Sequence, residues 1–227
     1  MIEPADAVAP TRFIDSDNDA VRDFAARSTA GCISDREKAV GLYYAVRDSI
    51  RYDCYRVDLE PQSYLASETL GRGYGFCIPK AALLAATCRA QGIPATVGFA
   101  DVRNHLATPR LLEMMGTDVF YYHGYTAIYI DGKWVKSTPA FNRELCELLG
   151  VAPLEFDGEA DSIFQDSEAD GRRHMEYLHH HGEFVAVPFD AITRSLRENY
   201  PNLMKLAGYS WDEDVGNLQQ GGVADPC

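Results

Sequence analysis

From Cys77 to Gly92 the chain gives a helix no polar face: Ile78, Ala81, Ala82, Leu83, Leu84, Ala85, Ala86, Cys88 and Ala90 fill nearly every position. A helix that is apolar all round has to be covered on every side, so this segment predicts a buried central helix with the rest of the chain wrapped about it. Pro79 falls in its first turn, where a missing N–H is harmless, and Gly92 is placed to end it. Cys77 therefore stands at the helix N-terminus. A chain of 227 residues can supply the cover, and 46% hydrophobic with 24% charged residues describes an ordinary globular protein. One domain over 1–227 is expected, with a motif-bearing core at 36–142, a C-terminal elaboration at 143–200 and a loose tail at 210–227, where apolar content is low.

The flanking segments alternate helix and strand signals. Val21, Phe24 and Ala25 predict an amphipathic helix within 17–30. Ser34-Asp35-Arg36-Glu37 then reads as a capping box opening a second helix that buries Ala39, Leu42, Tyr43, Val46 and Ile50. Gly71-Arg72-Gly73-Tyr74-Gly75 predicts a loop, because three glycines in five residues oppose both regular structures. A strand is expected from Pro94 to Phe99, and Thr108-Pro109 caps a short helix running through Met115. Asp131-Gly132 between the β-rich runs 123–130 and 133–138 predicts a two-residue hairpin. Beyond Asn142 polar loops alternate with short apolar pieces, and a last helix is expected from about Asp190 to Tyr200.

Charge and cysteine usage exclude whole classes of function. Lys+Arg 21 against Asp+Glu 34 gives −13, a field that repels phosphate backbones and anionic lipid, so neither nucleic acid nor a membrane is an expected partner. The acidic N-terminus has no secretory pattern, and no stretch reaches the ~20 apolar residues of a membrane span, so a cytoplasmic location is expected. Six cysteines without a CxxC pair fit free thiols in a reducing compartment. His174 and the run His179-His180-His181 do not complete a metal site, since consecutive side chains diverge. The glycine run lacks the Lys-Ser/Thr of a phosphate loop and the third glycine of a dinucleotide fingerprint. No cofactor and no metal are therefore expected. The acidic stretch 155–170 reads as a solvated loop.

The chemistry centres on Cys77. A helix N-terminus favours the thiolate, which is the attacking form, and the preceding glycines, Gly75 among them, allow close backbone approach. Cys32, Cys54, Cys88, Cys146 and Cys227 lack that setting and read as structural. His123, at the mouth of the hairpin, is the candidate base, with His105 a second choice. The Asp131-Gly132 turn sets Ile130 opposite Lys133 and His123 opposite Ala140. Thr138 and Asn142 then become diagonal neighbours of His123, roughly 7–8 Å away, and either could fix the ring. Pro139 weakens the Asn142 half by interrupting the ladder. The Cys77 N–H would face a developing oxyanion, with Gln62 or Tyr74 as upstream partners and Tyr125 as a cleft-lining aromatic.

Gly75-Phe76-Cys77 opening an apolar helix, then Arg89-Ala90-Gln91-Gly92-Ile93-Pro94-Ala95, then His123 with Asp131-Gly132-Lys133-Trp134, together resemble the transglutaminase-like superfamily. The resemblance implies an α+β, papain-like fold, with N-terminal helices and a buried cysteine helix packed on an antiparallel sheet. It also implies Cys77 as nucleophile and His123 as base. Family members usually carry Asp-Pro-Thr four residues after the hairpin tryptophan, and here that slot reads Thr138-Pro139-Ala140. The implied activity is acyl transfer on a peptide or small amide through a thioester, with hydrolysis favoured over transamidation. The alternative is a non-catalytic module that holds a peptide or similar ligand in the same cleft. Oligomeric state is left open.

Overall fold

The computed structural model describes residues 2–105, 107–164, 175–200 and 202. Helix α1 (Asp19–Ser28) is capped by Asn18, whose side chain accepts from the Ala20 N–H. Helix α2 (Asp35–Ser49) opens with the full capping box: Ser34 Oγ accepts from the Glu37 N–H while the Glu37 carboxylate reaches back to the Ser34 N–H. Its face Ala39, Leu42, Tyr43, Val46 and Ile50 is buried as the spacing predicts. The chain then passes through the short strand β1 (Arg51–Tyr52) to helix α3 (Ala66–Arg72).

The glycine run does not form the expected loop. Gly71 and Arg72 end α3, Gly73 takes the left-handed conformation at φ 72°, and Tyr74–Gly75 form strand β2, parallel to β1 with Arg51 opposite Tyr74. The pairing with β1 satisfies backbone groups that local composition alone would leave to solvent.

Helix α4 (Cys77–Ala90) is buried along almost its whole length and packs against α1, α2 and α3 on one side and β3 and β4 on the other. Gly92, at φ 75°, turns the chain after it. Two basic side chains pin this helix. Lys80 Nζ donates to the carbonyls of Arg47 and Ile50 at the end of α2. The guanidinium of Arg89 donates to the carbonyls of Ala9, Ala95 and Val185, joining three distant stretches of chain.

Strand β3 (Ala95–Asn104) runs longer than predicted. It is followed by helix α5 (Pro109–Met115), capped by Thr108 as expected, then by β4 (Val119–Ile130) and β5 (Lys133–Ser137). Asp131 and Gly132 both have positive φ, 51° and 84°, the geometry of a type I′ hairpin turn. The register matches the expected one from Ile130–Lys133 to Thr126–Ser137, and there the ladder stops. Helix α6 (Arg143–Leu149) and strand β6 (Met175–Phe184) occupy the region read as loops and short apolar pieces. Strand β6 completes an antiparallel sheet of order β5-β4-β3-β6. As an edge strand with exposed Leu178 and histidines, it lacks the buried alternation that marks a strand in sequence.

Part of the acidic stretch is also anchored: Phe156 and Phe164 are buried, and Ser162 bridges to Ser137. Its remainder, 165–170, lies outside the described residues, as do His174, Cys227 and the tail 210–227. Helix α7 (Phe189–Asn199) packs against β4 within a residue or so of its predicted bounds. The architecture is α+β. Among the described residues no helix is long and apolar enough to cross a membrane.

Candidate active site

Cys77 is the first residue of α4 and His123 lies on β4, opposite Ala100 of β3. Both are buried, at 7% and 2% exposure, and both line one cavity of about 50 Å³. On a scale of ~10–15 Å³ per water, that space holds a few water molecules. Tyr52 and Cys54 form part of its wall, Met115 and Phe120 another part, and Leu196 with Tyr200 close it from the α7 side. Among the described residues that line it there is no Asp, Glu, Lys or Arg.

Glycine at 124 makes the junction possible. A Cβ built there would lie 3.0 Å from Ile78 Cα and 3.1 Å from the Cys77 carbonyl oxygen, so any other residue would push the helix start away from the strand. Beyond Ser137 β5 leaves the ladder, and the backbone of Gly124 faces the start of α4, where its amide dipole favours the thiolate of Cys77.

The electrostatics depart from the expectation of a lowered thiol pKa. Burial pushes Cys77 up to about 11, against the opposing pull of the Gly124 N–H and the first amides of the helix. Desolvation thus outweighs the helix terminus, and the sulfur is a neutral thiol near pH 7. Burial likewise raises the phenols of Tyr52 and Tyr200, so both stay neutral.

Thr138 is buried and held through its backbone: its N–H donates to Ser162 O at 2.9 Å and its carbonyl accepts from the Tyr43 hydroxyl. Its own Oγ1 makes no hydrogen bond among the described residues. Asn142 Oδ1 accepts the Tyr52 N–H at 3.0 Å and its Nδ2 donates to Glu144, so the amide ties α6 to β1. Gln62 is exposed and bonded to Glu68. Tyr74 lies under the guanidinium groups of Arg56 and Arg72, and Gly75 packs on Pro79 and Thr69. The Tyr125 hydroxyl donates to Glu183 on β6 at 2.7 Å. None of these six lines the cavity. His105 faces Glu176 and also stands outside it.

Sequence reasoning missed the wall. Leu196 and Tyr200 sit four apart on the predicted last helix, a spacing that marks a buried face but says nothing of what it covers. Cys54 read as structural because its neighbours in sequence carry no signal.

A thiol at a helix N-terminus and an imidazole from an antiparallel sheet line one small cavity, on an α+β fold of papain-like type. The model of the transglutaminase-like superfamily matches residues 22–139, about half of the chain and starting earlier than the motifs at 36–142, and the protein belongs to that superfamily. No curated protein matches. Among solved structures, the chain is similar to a candidate cysteine protease from Cytophaga hutchinsonii, at 21% identity and a TM-score of 0.44 over 58% of this chain and 40% of that one. It is also similar to a candidate protease from Parabacteroides distasonis, at 17% identity and a TM-score of 0.36 over 55% and 25% of the two chains. The chain thus spans less than half the length of either.

Proposed function

We propose that the protein is a cysteine-dependent hydrolase of amide or peptide-like substrates, with Cys77 as nucleophile and His123 as general base. The observation that carries this reading is the cavity that Cys77 and His123 share at the start of α4. Because the thiol is neutral, its proton passes to His123 as sulfur attacks the carbonyl carbon. A thiolate stored in advance is not needed. The resulting oxyanion faces the helix-start amides. Its collapse breaks the C–N bond, the amine leaves with the proton from His123, and the acyl group remains as a thioester on Cys77. Water, deprotonated by His123, then releases the acid and restores the thiol. The largely apolar wall, without Asp, Glu, Lys or Arg among the described residues, supports an acyl donor that is apolar next to its carbonyl. Water is the default acceptor, so hydrolysis is favoured over transamidation.

The test is turnover of a panel of fluorogenic peptide amides by wild-type protein, Cys77→Ala and His123→Ala. Loss in both variants with the fold intact is expected. Turnover retained by Cys77→Ala would end the reading. A second reading, a non-catalytic module binding a peptide-like ligand in the cavity, is favoured by the raised thiol and by threonine at 138. It predicts ligand binding that is the same with and without Cys77, and no covalent adduct.

A further inference from the structure

Tyr122, the residue before His123, has φ 56°, a left-handed conformation that is uncommon for any residue with a side chain and an outlier for a bulky one. Such backbone persists where its surroundings over-determine it, and it clusters at functional sites. Here two side chains do the holding. Asp101 Oδ1 accepts the Tyr122 N–H at 2.9 Å, and the same oxygen accepts from His181 Nε2 at 2.8 Å. The His181 ring in turn lies flat on the Tyr122 ring, with centroids 3.9 Å apart and planes 11° from parallel.

Both holders come from irregularities in the sheet. The β3–β4 register runs regularly to Ala100–His123 and resumes only at Val102–Phe120, which leaves Asp101 at a bulge beside Tyr122. The β3–β6 register steps from Phe99–Gly182 to Ala100–His180, which passes over His181. Bulges redirect side chains, and these two converge on the residue that leads the chain into His123. Past the end of β5, at the edge of β4 opposite β3, the Thr138 hydroxyl makes no hydrogen bond among the described residues.

We propose that Asp101 and His181 are positioning residues for His123: by fixing Tyr122 in its left-handed conformation through one carboxylate oxygen and one stacked ring, they set the place of the imidazole beside Cys77. This rests on the reading of His123 as the base. In an extended Tyr122 the chain would enter position 123 at another angle, and the imidazole would leave the cavity.

The test compares Asp101→Ala, Asp101→Asn and the double variant Asp101→Ala with Tyr122→Gly. Two readouts are used: the rate of Cys77 alkylation by iodoacetamide across pH 5 to 10, and the nitrogen resonances of the His123 ring in histidine-labelled protein, assigned by His123→Asn. Because both bonds use one oxygen, Asp101→Asn keeps that acceptor and should behave as wild type. Asp101→Ala should lose at least about tenfold in alkylation and shift the His123 resonances, a loss in proportion to a small misplacement of a reacting group. Glycine accepts positive φ freely, so the double variant should regain thermal stability without regaining alkylation. That outcome separates positioning from a purely structural role, in which both would return together. Unchanged His123 resonances in Asp101→Ala overturn the inference. If those resonances shift while His123→Ala leaves wild-type alkylation unaltered, the positioning stands and the assignment of His123 as base falls.

Discussion

Gly124 of β4 and Ile78 of α4 meet backbone to backbone: a Cβ at position 124 would lie 3.0 Å from Ile78 Cα and 3.1 Å from the Cys77 carbonyl oxygen, which leaves no room for a side chain. Gly124→Ala would place a methyl against the backbone of Cys77 and Ile78, neither of which can rotate away. Overpacking of this kind costs ~1–3 kcal/mol. In a protein of this size that lowers the melting temperature by roughly 2–4 °C per kcal/mol. Calorimetry reads the loss, and mass spectrometry of alkylated Cys77 should show slower labelling in the same variant. An unchanged melting temperature would contradict the close contact.

The burial of Cys77 fixes a pH dependence. Its thiol ionises near 11, against about 8.5 for a free cysteine. Alkylation near pH 7 should therefore be slower than that of a free thiol and should climb into the alkaline range. Between those two values the folded chain holds a proton that the unfolded chain has lost. The contribution of this group to stability is thus whole below about 8.5 and lost as pH rises toward 11. A labelling profile that levels off near pH 6 would show that the sulfur is already ionised.

Lys80 has the opposite sign. Burial lowers its ammonium to about 7, from an unfolded value near 10.5. Over that interval the unfolded chain binds the extra proton, and stability rises with pH. Lys80→Met strands the carbonyls of Arg47 and Ile50, at ~1–3 kcal/mol for unsatisfied buried groups. Urea unfolding should find the gap between wild type and variant wide at pH 9 and narrower at pH 6. A gap independent of pH would refute the assignment.

Tyr200 closes the cavity with its hydroxyl fixed twice, accepting from the Tyr121 N–H at 2.7 Å and donating to Val119 O at 3.1 Å. Tyr200→Phe should cost ~0.5–1.5 kcal/mol or somewhat more, since the Tyr121 N–H loses its partner. Tyr200→Ala should expose Cys77 and speed its alkylation several-fold at a fixed pH. Equal rates in Tyr200→Ala and wild type would mean that reagents reach the sulfur by another side.

What was legible in the sequence was local. The capping box at Ser34–Glu37, Thr108-Pro109 ahead of α5, the Asp131-Gly132 turn and the apolar run after Cys77 each specify their own backbone. The structure has a corresponding element at each. Tyr74–Gly75 became a strand only because β1 lies alongside. Strand β6 escaped notice because an edge strand of tyrosine and histidine has no apolar rhythm. The cavity wall, and the convergence of Asp101, His181 and Tyr122, come from pairings between distant segments and from sheet irregularities that no short-range pattern encodes. The thiol pKa was misjudged for the same reason: helix position is written in the sequence, whereas depth of burial is a property of the assembled fold.

Since α4 shows almost none of its length to water, nearly every exchange along it would disturb several neighbours at once. The scaffold that carries Cys77 is thereby closed to gradual change. Any reshaping of the cavity in descendants of this chain has to arise in the surrounding pieces: the stretch around Cys54, the entry into β4 and the inner edge of α7.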